Sequence, residues 1–352
     1  MGRKLITWIA LTLAVFVGAA CQDTVIPDKG SVIVTFSTGE LLTRTTPDGN
    51  PADGGGIAID HIGNDDVPDL FIAIANYSGT IVATYPGSNT ECLEASATQI
   101  SIRFTQTQAS QDWTSGDYTV YAVANTKLAN STDGVWGATS VTQWSAYTSA
   151  SALDALCFSA LSSSDLPTVT DRMPLSAKGT LSVNEYGNGQ AELELQRCVA
   201  KIGFKFNNET GQDLTLTDCN VTIEDISPTQ GYVFPRSNDV TGTARDLVLI
   251  NSTKSIEAGE TTDLYGDLLV FPSVAPARAV GSRYYCSISF DIGERQYSFT
   301  DLPIHDKQSH DILALGRNQY LQIETRINKG LDVSFNFVVD DWNEKSEEIL
   351  FH

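Results

Sequence analysis

Arg197 to Phe206 reads RCVAKIGFKF. Ile202, Phe204 and Phe206 fall on one parity with Gly203 and Lys205 between them, the period of a strand that buries one face. The same alternation recurs on both sides. Upstream lie Val32, Val34 and Phe36, then Ile100, Ile102 and Phe104; downstream, Leu331, Val333, Phe335, Phe337 and Val339 alternate with Asp332, Ser334, Asn336 and Val338. Further runs are Asp69–Tyr77 (DLFIAIANY), Asp117–Ala124 (DYTVYAVA), Asn220–Ile226, Tyr284–Ile292 and Leu321–Ile327. They are rich in Val, Ile, Thr, Tyr and Phe, and Gly, Asn, Asp, Ser and Pro clusters separate them as in hairpins and Greek keys. The fold expected is mainly β, an antiparallel β-sandwich. From Thr139 to Leu161 apolar residues instead recur every three or four positions, which predicts one or two short helices.

The start of the chain has a different design. Arg3 and Lys4 precede an apolar run from Leu5 to Val17, and Gly18, Ala19 and Ala20 stand before Cys21. This is the layout of a secretory signal ending in a lipobox, with Gly18 where Leu or Val is usual. Residues 1–20 are therefore read as a lipoprotein signal peptide and Cys21 as the lipidated residue, held on a membrane leaflet by its acyl chains. Gln22 to Gly30 is a polar tether, and the first strand follows directly. Arg44 and Thr45 sit beside Pro47–Gly56 (PDGNPADGGG), whose glycines and prolines do not suit a sheet interior and mark an exposed segment open to proteolysis.

The 352 residues carry 43 acidic and 22 basic side chains. Arg3 and Lys4 leave with the leader, so 20 basic residues face 43 acidic ones and the net charge moves from −21 to −23. That balance excludes nucleic acid as a natural partner. The length suggests two domains. A polar stretch, Ala177–Gln190, puts their boundary near residue 195, dividing 45–195 from 196–352, although one continuous sandwich with a long hairpin satisfies the same pattern. Cys92, Cys157, Cys198, Cys219 and Cys286 are odd in number and have no close pair, so neither a disulfide framework nor a metal site is read from them.

Catalytic templates are absent: the chain has no GxSxG, HExxH, GxxxxGK[ST], GxGxxG or DxDxDG. The histidines are His61, His305, His310 and His352, and the five-residue step from His305 to His310 is wrong for two ligands on one helical face. The acidic pairs Asp65–Asp66 and Asp340–Asp341 are what a strongly acidic surface produces. No enzyme, cofactor or metal is expected. Trp113, Trp136, Trp144 and Trp342 are dispersed, with no platform for a sugar ring visible in the sequence.

In combination, the lipobox at Cys21, the early β-run followed by Thr43-Arg44 and a Gly/Pro/Asp spacer, the DYTVYAVAN phrase at Asp117–Asn125, RCVAKIGFKF at Arg197–Phe206, and a last strand pair with Trp342 close behind it resemble the fimbrillins of type V pili of the Bacteroidia. The resemblance runs along nearly the whole chain. It implies two transthyretin-like β-sandwich domains, with residues 21–44 as a lipid tether and removable first strand. It further implies passage to the outer membrane through the lipid on Cys21, and cutting between Arg44 and Thr45 by an arginine-specific surface protease. The strand carrying Val32, Val34 and Phe36 is then expelled, and a strand of a neighbouring pilus subunit fills the groove, an addition that main-chain hydrogen bonds and alternate side chains make physically reasonable. The donor expected is the segment with Leu331, Val333, Phe335, Phe337 and Val339.

Two other readings remain open on the sequence. An anchor subunit would keep its lipid and its first strand. A surface glycan-binding lipoprotein would need Trp113, Trp136 and Trp144 to converge on one exposed face.

Overall fold

The computed structural model describes residues 30–38, 59–62, 65–96, 98–125, 147–158, 173–237, 240–241, 243–259, 261–279, 281–305 and 310–341. Cys21, Arg44, Thr45, Trp136, Trp144 and Trp342 lie outside them. Strands dominate, as the alternating sequence requires. The single helix among the described residues is α1 (Ala150–Asp154), inside the stretch expected to be helical; Ser149 caps it by accepting from the Ala152 amide, and Leu153 is its buried residue.

The first sheet contains β1 (Val32–Ser37), β2 (Leu70–Ala75), β3 (Ile81–Tyr85), β4 (Thr90–Ala95), β5 (Gln99–Phe104), β6 (Gly116–Ala124), β7 (Leu175–Val183) and β8 (Gly189–Glu194). Their order is β3-β2-β6-β7-β8-β1-β5-β4, and the two-residue strand Gln196–Arg197 adds to β7. All pairings are antiparallel except β1 with β8, which is parallel. The chain leaves this sheet at Cys198–Val199.

Beyond that point a second pair of sheets forms. Its strands are β9 (Ala200–Asn208), β10 (Leu214–Ile223), β11 (Leu247–Asn251), β12 (Thr261–Val270), β13 (Tyr285–Ile292), β14 (Arg295–Pro303), β15 (Gln319–Ile327) and β16 (Val333–Asp341). One sheet runs β12-β9-β15-β16 and the other β11-β10-β13-β14, with Lys254–Ile256 added to β10. Ile202, Phe204 and Phe206, the parity set of the opening stretch, point into the core between them, where Phe206 meets Phe290 edge-on at 5.7 Å. The pairing of β9 with β15 is parallel, bringing residues about 120 positions apart into register, from Lys201 with Tyr320 to Asn208 with Ile327.

Two sets of inward residues make separate cores, and a third core joins the halves. In β2, Leu70, Ile72 and Ile74 face the first core while Phe71, Ala73 and Ala75 face the junction, so every residue of LFIAIA is buried. Such a continuous apolar run in an antiparallel sheet means that both faces are covered. β6 repeats the pattern with Val120, Ala122 and Ala124 against Tyr121 and Val123. Asn125 ends that strand at φ 60°, fully buried, its amide Nδ2 donating to the Met173 carbonyl at 2.6 Å; this accounts for the Asn that closes DYTVYAVAN. Across the junction Arg317 donates to the Tyr232 and Val233 carbonyls (2.5 and 3.1 Å) and to Ser176 Oγ (3.2 Å), and buried Arg197 donates to Asn318 Oδ1 at 2.7 Å.

Phe271 stacks on Phe158 in this shared core with ring centres 5.7 Å apart, both fully buried. Phe271→Ala should therefore cost about 3–5 kcal/mol, the range for truncating a buried aromatic ring. A urea titration checks it; a midpoint shift that small surface substitutions also produce would mean the junction is not a packed core.

Candidate functional site

The feature that stands out is the seating of β1. It lies between β5 and β8, strands that would otherwise flank an open slot. Each inward residue completes a rank: Val32 with Phe104 and Gly189, Val34 with Ile102 and Ala191, Phe36 with Ile100 and Leu193. Val32, Val34 and Phe36 are 0 % exposed, and Ile33 on the other face is 4 % exposed. Thr35 Oγ1 and Ser101 Oγ share a hydrogen bond of 3.0 Å.

Both ends of β1 are tied down. At its start the Gly30 amide donates to Asn188 Oδ1 (2.9 Å) and the Gly189 amide to the Ser31 carbonyl (3.3 Å). At its end the Leu195 amide donates to the Ser37 carbonyl (2.8 Å) and the Thr38 amide to the Thr98 carbonyl (3.0 Å). Gly30 has φ +80° and open space where a Cβ would be, so glycine is there for its backbone conformation. Residues 39–58, outside the described residues, separate this strand from the hairpin of Ile59–Ile62 with Asp65–Pro68. Nothing in the described fold therefore joins β1 covalently to its sheet neighbours at short range.

The last strand has the opposite character. β16 pairs with β15 of its own domain, from Val333 with Ile327 to Asp341 with Gln319, and forms the edge of its sheet. Val333, Phe335, Phe337 and Val339 face the second core, yet all are half-buried. Phe335 meets Phe299 edge-on at 4.8 Å. Leu331 is not part of the strand: it sits in the preceding turn at φ 58°, because Asn328 Oδ1 accepts from the Gly330 and Asp332 amides (both 2.9 Å) and folds the chain there. Beside β16, on β15 opposite Phe335, the Thr325 hydroxyl is buried with no hydrogen-bond partner.

The remaining candidates have structural settings. Trp113 is 4 % exposed, donates Nε1–H to the Phe104 carbonyl at 3.1 Å and packs edge-on against Tyr118, which removes one of the three tryptophans a sugar platform would need. His305 Nδ1 lies 3.1 Å from Asp311 Oδ1, and the same carboxylate takes Arg283 at 2.8 Å, so this group ties the ends of a loop. Among the described residues no group of three or more His, Cys, Asp or Glu is placed to hold a metal ion. The five described cysteines are unbridged. Burial raises the Cys219 thiol to about 11, and burial reinforced by the Glu224 charge raises Cys286 to about 12. Parity does not single out Ile33, and strand character that resumes at Ala191 does not indicate that β8 flanks β1. Parity pointed to Val32, Val34 and Phe36, whereas the parallel neighbour lies some 157 residues away and leaves no local signal.

Fold and site together define an all-β protein whose first strand is inserted between two others and whose described residues form no catalytic constellation. The chain belongs to the family of fimbrillin-A associated anchor proteins Mfa1 and Mfa2, whose model matches residues 87–348. This is a family of structural fimbrial subunits, not of enzymes. None of the curated proteins matches the sequence. Among solved structures, the chain is similar to a protein from Parabacteroides distasonis assigned to cell adhesion, at 11% identity and TM-score 0.51, covering 88% of this chain and 97% of that one. It is also similar to the tip fimbrial protein Mfa3 from Porphyromonas gingivalis (11%, TM-score 0.48, covering 89% and 99%) and to a fimbrilin from the same species (12%, TM-score 0.49, covering 90% and 98%).

Phe36→Ala should destabilise the first half of the full chain by about 3–5 kcal/mol, since it empties a fully buried rank. Hydrogen exchange of the β5 and β8 amides reads this, and unchanged protection would mean that β1 does not hold the sheet together. The thiolate is the reactive form of cysteine, so at pH 8 a thiol reagent should label half-exposed Cys92 and Cys157 in the native protein and leave Cys219 and Cys286 intact. Rapid labelling of all five would contradict this packing.

Proposed function

We propose that this chain is a structural subunit, stalk or tip, of a cell-surface pilus that serves adhesion. In this reading it travels as a lipoprotein acylated on Cys21 and reaches the outer membrane. A surface protease then cuts between Arg44 and Thr45, and the strand carrying Val32, Val34 and Phe36 leaves the groove. The segment with Leu331, Val333, Phe335, Phe337 and Val339 of another pilus subunit takes its place.

The observation that carries this reading is the contrast in burial between β1 and β16. Each fully buried Val or Phe is worth roughly 1.5–3 kcal/mol of transfer free energy, so Val32, Val34 and Phe36 together contribute about 5–9 kcal/mol. A domain is stable by only about 5–15 kcal/mol, so a vacated groove has to be refilled. The inner residues of β16 are half-buried at home and gain contact in such a groove, while one set of ladder hydrogen bonds replaces another. Arg44 lies six positions beyond Thr38, the last residue tied to the sheet, beside a Gly- and Pro-rich stretch of sequence of the kind where proteolysis concentrates.

A second reading has a specific observation in its favour. β1 is tied at both ends with its inward residues fully buried, and the family model is named for anchor proteins. A subunit that kept Cys21 acylated and β1 in place would end the fibre at the membrane.

N-terminal sequencing and intact mass of the surface protein distinguish the two. A mature start at Thr45 that disappears in Arg44→Ala supports a polymerising subunit. An acylated Cys21 on the full-length chain supports the anchor and overturns the cleavage.

A further inference from the structure

Resting on the strand-exchange reading, we propose that this chain complements a second copy of itself in one register: Leu331–Asn336 of one copy replaces Val32–Ser37 of the next, in the same direction, with Asp332 facing Arg103. The first argument is the side chains themselves. β1 reads VIVTFS and the segment 331–336 reads LDVSFN. Leu331, Val333 and Phe335 reproduce the aliphatic, aliphatic, aromatic order of the three inward ranks. Ser334 brings a hydroxyl to the place where Thr35 meets Ser101 Oγ.

The one chemical departure has an answer in the groove. Asp332 stands where Ile33 stands, and the residue directly across from Ile33 on β5 is Arg103. The Arg103 Nη1 group pairs with Glu91 at 3.1 Å, but its Nε is buried and has no hydrogen-bond partner in this structure. A carboxylate directly opposite supplies that partner and pairs the charges across the strands. A shift of two residues loses this. It would set Ser334 against Arg103 and place Phe335, a much larger side chain, in the rank that Val34 fills between Ile102 and Ala191.

Topology supplies the direction. β15 starts beside the domain junction, where the Asn318 amide donates to the Val199 carbonyl, and ends at Ile327, the pole of the second domain away from the first. β1 starts at the pole of the first domain away from the second, beside Gly189 and Val183, and runs toward Leu195 at the junction. A strand leaving after Ile327 thus enters the next copy at the Gly30 end with the polarity of β1. The linker Asn328–Gly330 spans at most about 10 Å, so the two poles abut head to tail.

Directly opposed residues on antiparallel strands lie about 4.5–5.5 Å apart at Cα, within disulfide range, whereas a two-residue offset is about 7–8 Å away. The test uses surface fibres of the full chain with Cys92 and Cys157 replaced by serine. Ser101→Cys with Ser334→Cys should give an intermolecular ladder on non-reducing gels that collapses on reduction, and Gln99→Cys with Ser334→Cys should not. A ladder from the second pair alone overturns the register and leaves strand exchange standing. Fibres in which neither pair links also overturn this register, and a parent chain that forms no polymer overturns the strand-exchange reading itself. As a second measure, Arg103→Glu should lower the polymeric fraction about tenfold, the scale of one charged hydrogen bond, and Asp332→Arg in the same chain should restore it. Loss without restoration overturns the pairing.

Discussion

A β-sheet cannot leave a slot in its interior, because the backbone groups and apolar side chains lining it would lose their partners together. The first domain is built around that constraint. β5 and β8 present their main-chain groups to the same space, and β1 satisfies both, antiparallel on one side and parallel on the other. The first core includes its three inward side chains. A strand that bridges two otherwise separate edges is a structural necessity, yet any strand of suitable polarity and alternation meets it equally well. The proposed strand exchange rests on that combination.

The second domain is arranged differently. β16 sits on an edge, leaves its inner residues half-buried and begins after a turn held by one asparagine side chain. Edge strands are the part of a sheet that can be detached at least cost, since only one ladder is lost. The two ends of the chain therefore differ in how firmly they are held, and the difference lies in placement more than composition, because VIVTFS and LDVSFN are nearly equivalent as strand sequences.

Between the two domains the shared core and the Arg317 contacts transmit one orientation to the other. The poles that hold the start of β1 and the end of β15 thereby point away from each other, the arrangement the proposed head-to-tail exchange requires.

Much of this was legible in the sequence for a simple reason: alternation has a period of two, and a run such as IGFKF or SFNFVV declares which residues face inward whatever the strand pairs with. The parity sets Val32–Phe36, Ile100–Phe104 and Ile202–Phe206 are core residues as read, and the helical spacing around Ala150–Asp154 is also as read. Alternation cannot say which strand lies next to which. The seating of β1 against Gly189–Glu194, the parallel match of β9 with β15, the turn that holds Leu331 off the strand and the burial of both faces of LFIAIA depend on contacts between residues far apart in the chain. The sequence by itself determined the inward and outward faces; tertiary structure alone decided the neighbours, because main-chain hydrogen bonds between strands carry no side-chain identity that a local pattern could record.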